Sequence, residues 1–141
     1  MDYALIIGLA AVLIIGAVLF ALISRISSKK YSKTLNVDQY RVKYLEIENH
    51  LRRDDNSSYH LAILNADKLV DQALRDSGID GETMGERLKN CTAKFSDLNG
   101  LWSAHKLRNR IAHESDVNVT YDEARYAMGS FKKALKELGA I

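Results

Sequence analysis

Apolar residues fall into two regimes along this chain. From Ala4 to Ile23 they are continuous, with no charge and no strongly polar side chain. Beyond Val37 they become periodic. Val37, Tyr40, Tyr44, Ile47 and Leu51 recur in steps of three and four, which draws one face of a helix ending near Arg53. Asp54-Asp55-Asn56-Ser57 breaks that pattern and offers N-caps to a second helix. Its apolar face holds Tyr59, Ile63, Ala66, Val70, Ala73 and Leu74, and Gly78 stands where a left-handed residue would end it. Two helices joined by so short a loop pack as an antiparallel pair.

Asp76 to Gly85 is rich in glycine but has no GK[ST] and no preceding strand, so it reads as a connector rather than a phosphate loop. Thr83-Met84-Gly85-Glu86 fits a capping box for a short helix reaching about Phe95. Ser96 or Asp97 caps the next helix, whose apolar stripe is Leu101, Ala104, Leu107 and Ile111, with Trp102 read as core rather than as a base-stacking platform. Thr120-Tyr121-Asp122-Glu123 is a second capping box, opening a final helix with Ala124, Ala127, Met128, Phe131, Leu135 and Leu138 and ended by Gly139. The expectation is an all-α fold: a bundle of four main helices plus a short one.

The continuous run is long enough, at about 1.5 Å per residue, to cross a hydrocarbon core of roughly 30 Å. Met1-Asp2-Tyr3 carries no basic side chain and no small-x-small cleavage site follows the run, so a retained transmembrane helix is favoured over a cleaved signal peptide. Residues 1–24 are therefore expected to be a membrane anchor, 25–36 a basic juxtamembrane linker and 37–141 the bundle. Arg25, Lys29, Lys30 and Lys33 all follow the run, so the positive-inside rule puts the N-terminus outside and the bundle in the cytoplasm. The same four side chains would touch anionic headgroups at the membrane surface.

Composition changes this picture little. The net charge of +2 neither requires nor forbids nucleic acid. One cysteine, Cys91, cannot make an intramolecular disulfide and suits a reducing compartment. The absence of proline fits a helical domain.

Candidate chemistry concentrates in Leu107-Arg108-Asn109-Arg110-Ile111-Ala112-His113-Glu114. His105, Asn109 and His113 recur every four residues, about 40° apart per step, and form a polar stripe beside the buried one. Arg108, three residues after His105, leans over the same edge. Arg108 could hold a phosphate through paired N–H donors, His113 could move a proton near neutral pH, and Asn109 could orient either partner. His105 and Arg110 flank this set and join Arg108 as candidate phosphate- or nucleotide-binding residues. The competing reading gives Arg108 and Arg110 to a solvated face with Glu114, and His113 to a helix end where an imidazolium suits the dipole. Asp67 and Asp71, at i, i+4, read as solvated surface, although either could reach Arg108 from the neighbouring helix. With no HExxH or CxxC, and with His105 and His113 eight residues apart, no metal and no cofactor is expected.

Arg108-Asn109-Arg110-Ile111-Ala112-His113, on the penultimate helix of a bundle, resembles the HEPN family (higher eukaryotes and prokaryotes nucleotide-binding). That family's mark is an Arg, a polar residue directly after it and a His a few positions on. The resemblance covers roughly 37–138. It implies a bundle of four or five helices that forms a homodimer, bringing two motifs into one cleft. For catalytic members it implies metal-independent endoribonuclease activity, with Arg108 holding the scissile phosphate, Asn109 matching the motif's polar residue, and His113 assisting transfer of the 2′-hydroxyl proton or protonation of the leaving group. For others it implies a scaffold that binds a nucleotide or a protein partner without catalysis.

Overall fold

The computed structural model describes Gly8, residues 12–19 and residues 35–141. Contacts divide the chain into two compact units, 1–31 and 32–141. In the first unit the described residues are helical, and the apolar side chains from Val12 to Leu19 are exposed. Most of the expected anchor at 4–23, and Arg25, Lys29, Lys30 and Lys33, lie outside the described residues. Among those described, no helix is long and apolar enough to cross a membrane.

The second unit is all-helical: α1 (Val37–Asn49), α2 (Asn56–Asp76), α3 (Met84–Asn90), a 3₁₀ turn (Thr92–Lys94), α4 (Leu98–His113) and α5 (Tyr121–Glu137). The boundaries follow local chemistry. Asn36, Asp55, Thr83, Asp97 and Thr120 each accept a backbone N–H with the side chain, satisfying one of the donors that every helix start leaves open. Thr120 and Glu123 complete the expected capping box. At Thr83 only half of one forms, because the Glu86 carboxylate accepts from Glu82 N at 2.7 Å instead of from the cap residue. Gly78 ends α2 at φ 75°, with Ile79 N–H on Leu74 O and Gly78 N–H on Arg75 O. That is a Schellman end, which requires a left-handed residue.

α2 is the central helix, packed against α1, α3, α4 and α5. Ile63, Val70 and Leu74 from α2 meet Leu101 from α4 and Phe131 and Leu135 from α5, each 0 or 1 % exposed. A buried side chain of this size contributes about 1.5–3 kcal/mol. Tyr44 of α1 reaches across the bundle, its hydroxyl donating to Met128 O at 3.0 Å, and burial pushes that phenol's pKa up. Ser96, just before α4, is held by the Glu137 carboxylate at the end of α5. These contacts fix α4 beside α2, and that juxtaposition makes the site.

Candidate functional site

Asp67 lies midway along α2 and is 3 % exposed. A carboxylate that deep must be neutralised by partners, and α4 supplies them. His105 Nδ1 is 2.8 Å from Asp67 Oδ1, and Arg108 Nε is 3.2 Å from Asp67 Oδ2. The first is a hydrogen bond; the second is an ion pair whose angle falls short of one. Arg108 Nη1 donates to Asn109 Oδ1 at 3.0 Å, and Asn109 Nδ2 is 3.3 Å from His105 Nε2. Four side chains thus close a ring: Asp67, His105, Asn109, Arg108.

The ring dictates its own protonation pattern. Arg108 can only donate, so Asn109 must present its oxygen to Arg108 and its amide hydrogens to His105. His105 Nε2 must then accept, which leaves the proton on Nδ1, facing Asp67. These assignments rest on the network, because turning the amide would set two donors against each other. His105 is accordingly a neutral brace with both nitrogens occupied, and it is not free to carry a proton to or from a ligand. Arg108 has its Nε and Nη1 engaged. Among the described residues nothing bonds its Nη2, and the side chain is 33 % exposed.

One turn along α2, Asp71 stands 3.5 Å from Arg75 Nη2 and 3.5 Å from Arg87 Nε. Arg87 is only 4 % exposed. Its Nη1 donates to Gly81 O at 2.8 Å and its Nη2 to Glu82 O at 3.4 Å, so one guanidinium clamps the α2–α3 connector. Gly81 sits at φ 150°, and a Cβ there would come 2.8 Å from Arg87 N. The clamped connector and α3 form one wall of a cleft of about 660 Å³, with α2 and α4 as the others. That volume is in the range of small-ligand sites.

The charges around this cleft are unequally occupied. Asp67 and Asp71 serve the pairs above, and Glu86 accepts from the backbone. Lys68 of α2, Lys89 of α3 and Lys106 of α4 line the same cleft, are exposed, and among the described residues have no carboxylate partner. Asp67 and Asp71 are tied to partners on α3 and α4, Glu86 is exposed with its carboxylate on Glu82 N, and the three lysines stand open, so the cleft presents unpaired cations to whatever enters it. Trp102 forms part of its wall, half-buried, with its ring edge-on to His105 at 5.9 Å.

The residues expected to act together are not all brought together in one copy. Arg108, Asn109 and His105 line the cleft; His113, the last residue of α4, is exposed and does not. Arg110 points to another face, 3.5 Å from Glu114 and along a groove between α4 and α5. Asp67 and Asp71, expected on solvated surface, are instead buried and half-buried. The clue to Asp67 was in the sequence: it stands between Ile63 and Val70 at i+4 and i−3, in the middle of the apolar stripe of α2. Lys68, Lys89, Lys106 and Arg87 carried no comparable signal. Among the described residues no group of three or more His, Cys, Asp or Glu is placed to hold a metal ion. Burial pushes the Cys91 thiol's pKa up, away from the thiolate a nucleophile needs. No family model, characterised protein or solved structure matches the chain, so the reading of the cleft rests on its geometry.

Proposed function

We propose that this chain is a HEPN-like domain, tethered to a membrane through residues 4–23, that binds RNA phosphates in the Arg108–Asn109 cleft. As a homodimer it would cleave the RNA without a metal. The observation that carries the phosphate reading is the asymmetry of the cleft. Asp67 and Asp71 are spent on internal cations and Glu86 caps a backbone N–H, while Lys68, Lys89, Lys106 and the Nη2 edge of Arg108 are open to an anion. Asp67 and Asn109 hold the guanidinium in place, so little orientational freedom is lost when a phosphate binds. In cleavage the 2′-oxygen bonds to phosphorus as the bond to the 5′-oxygen breaks. His113 of either copy takes the hydroxyl proton or supplies one to the leaving oxygen. With residues 37–141 in the cytoplasm, Arg25, Lys29, Lys30 and Lys33 would lie against anionic headgroups.

One observation favours a second reading, a scaffold that binds a nucleotide or a protein partner without cutting. His113 lies outside the cleft that Arg108 and Asn109 line, and binding alone does not require it. The two readings part on labelled RNA incubated with the full chain in detergent and EDTA, beside Arg108→Ala and His113→Ala. Cleavage abolished by both substitutions supports the nuclease. Binding that needs Arg108 but not His113, with no cleavage, supports the scaffold. A reporter fused after Ile141 that is active only outside the cytoplasm would overturn the topology.

A further inference from the structure

Arg108 and the lysines account for an anion, but they leave most of a 660 Å³ cleft unexplained. A phosphate group is far smaller than that space. The remainder is walled by Trp102, the one tryptophan in the chain. Trp102 packs against the core without being enclosed by it, and its ring stands T-shaped to the His105 ring with centroids 5.9 Å apart. Across from it stands Gly85 of α3. A Cβ at Gly85 would lie 3.5 Å from Trp102 Cη2 and 3.7 Å from Cζ3, in ordinary contact, so any longer side chain there would lie against the indole. Glycine lets α3 approach that edge of the half-buried indole, which lines the cleft. Along α4, Trp102 and Arg108 are six residues apart, about 9 Å of axial rise, with His105 between them.

We propose that Trp102 is a base-stacking platform and that one copy of the cleft accepts one nucleotide unit, its base on the indole and its phosphate at Arg108. The proposal rests on the phosphate reading above and adds the base. An indole can stack with any base, and Lys89 and Lys106 line the same cleft as Trp102 and Arg108. The same chemistry is offered by a free nucleoside monophosphate and by one residue of an RNA strand.

The single tryptophan makes the test direct. The full chain in detergent is titrated with adenosine monophosphate, a short oligoadenylate, ribose 5-phosphate and inorganic phosphate, following Trp102 emission. Stacking predicts quenching by the two base-containing probes and none by ribose 5-phosphate or phosphate at equal occupancy. Tighter binding of the oligomer than of the monophosphate would identify RNA as the source, and the reverse order a free nucleotide. By titration calorimetry, which needs no tryptophan, Trp102→Phe should keep most of the affinity, and Trp102→Leu should lose roughly 10- to 100-fold. If Trp102→Leu does not fold, Gly85→Leu sets a bulky side chain against the indole from a position where a Cβ makes only ordinary contact, and it should weaken base-containing probes alone. Arg108-dependent phosphate binding without quenching, or unchanged nucleotide affinity in Gly85→Leu, would overturn the base platform and leave the phosphate reading standing. Absence of any Arg108-dependent anion binding would remove both.

Discussion

Removing the Asp67 carboxylate is the most informative change to the bundle. Asp67→Ala leaves the His105 Nδ1 proton, on a side chain 11 % exposed, without an acceptor. An unsatisfied buried donor costs about 1–3 kcal/mol. Arg108 loses its ion pair too, but its side chain is about one-third exposed, so screening limits that share to about 0–1 kcal/mol. The sum is about 1–4 kcal/mol, or a melting temperature lower by on the order of 10 °C for a domain near 100 residues. The assay is urea and thermal unfolding of residues 32–141 followed by helical circular dichroism. Asp67→Asn should fall between wild type and alanine, because its amide sets an oxygen before one of His105 and Arg108 and a donor NH2 before the other. In a double-mutant cycle, Asp67→Ala and His105→Leu should couple by about 1 kcal/mol or more. A shift below about 0.5 kcal/mol for Asp67→Ala, or strict additivity with His105→Leu, would refute the ring as a structural unit.

Further expectations test the clamp, the core and a cap. Gly81→Ala forces a Cβ against Arg87 N at a positive φ, which should cost about 1–3 kcal/mol and speed proteolytic nicking of the α2–α3 connector relative to wild type. Phe131→Ala opens the centre of the bundle and should cost about 3–5 kcal/mol by denaturant titration. Backbone and side-chain hydrogen bonds from Thr120 hold the Glu123 carboxyl below its usual pKa of 4.5. A depressed folded-state pKa contributes stability that is present above the unfolded value and lost as pH falls through the folded one. The stability gap between wild type and Glu123→Gln should therefore be full at neutral pH and close below about pH 4.5, as unfolding titrations across that range would record.

The helix order, both C-terminal glycines and the capping box at Thr120 were legible because each depends on residues within five positions of one another. The site was legible only in part. Spacing alone placed His105 and Asn109 on one stripe with Arg108 beside it, since one helix fixes all three. It could not place His113, because exposure at the end of α4 depends on where the neighbouring helices stop. Spacing set Arg108 and Arg110, two residues apart, about 160° apart around the helix, but could not foresee that they line different clefts. Asp67 shows the reverse: its position inside an apolar stripe was visible, but its significance depended on a histidine and an arginine arriving from another helix. Arg87 was invisible for the same reason, since its partners are a carboxylate on α2 and the carbonyls of a connector.

The central claim, that Arg108 and not the neighbouring cation is the phosphate ligand, is tested most directly by one equilibrium measurement. Anisotropy of a labelled RNA oligomer would be recorded with the full chain, Arg108→Ala and Arg110→Ala at a fixed salt concentration. A charge-assisted hydrogen bond to phosphate is worth about 1.5–3 kcal/mol, so Arg108→Ala should weaken binding by about tenfold or more. Arg110→Ala, facing the α4–α5 groove and paired with Glu114, should stay within about twofold. Equal affinity for wild type and Arg108→Ala, or equal losses in the two variants, would contradict the assignment of the cleft.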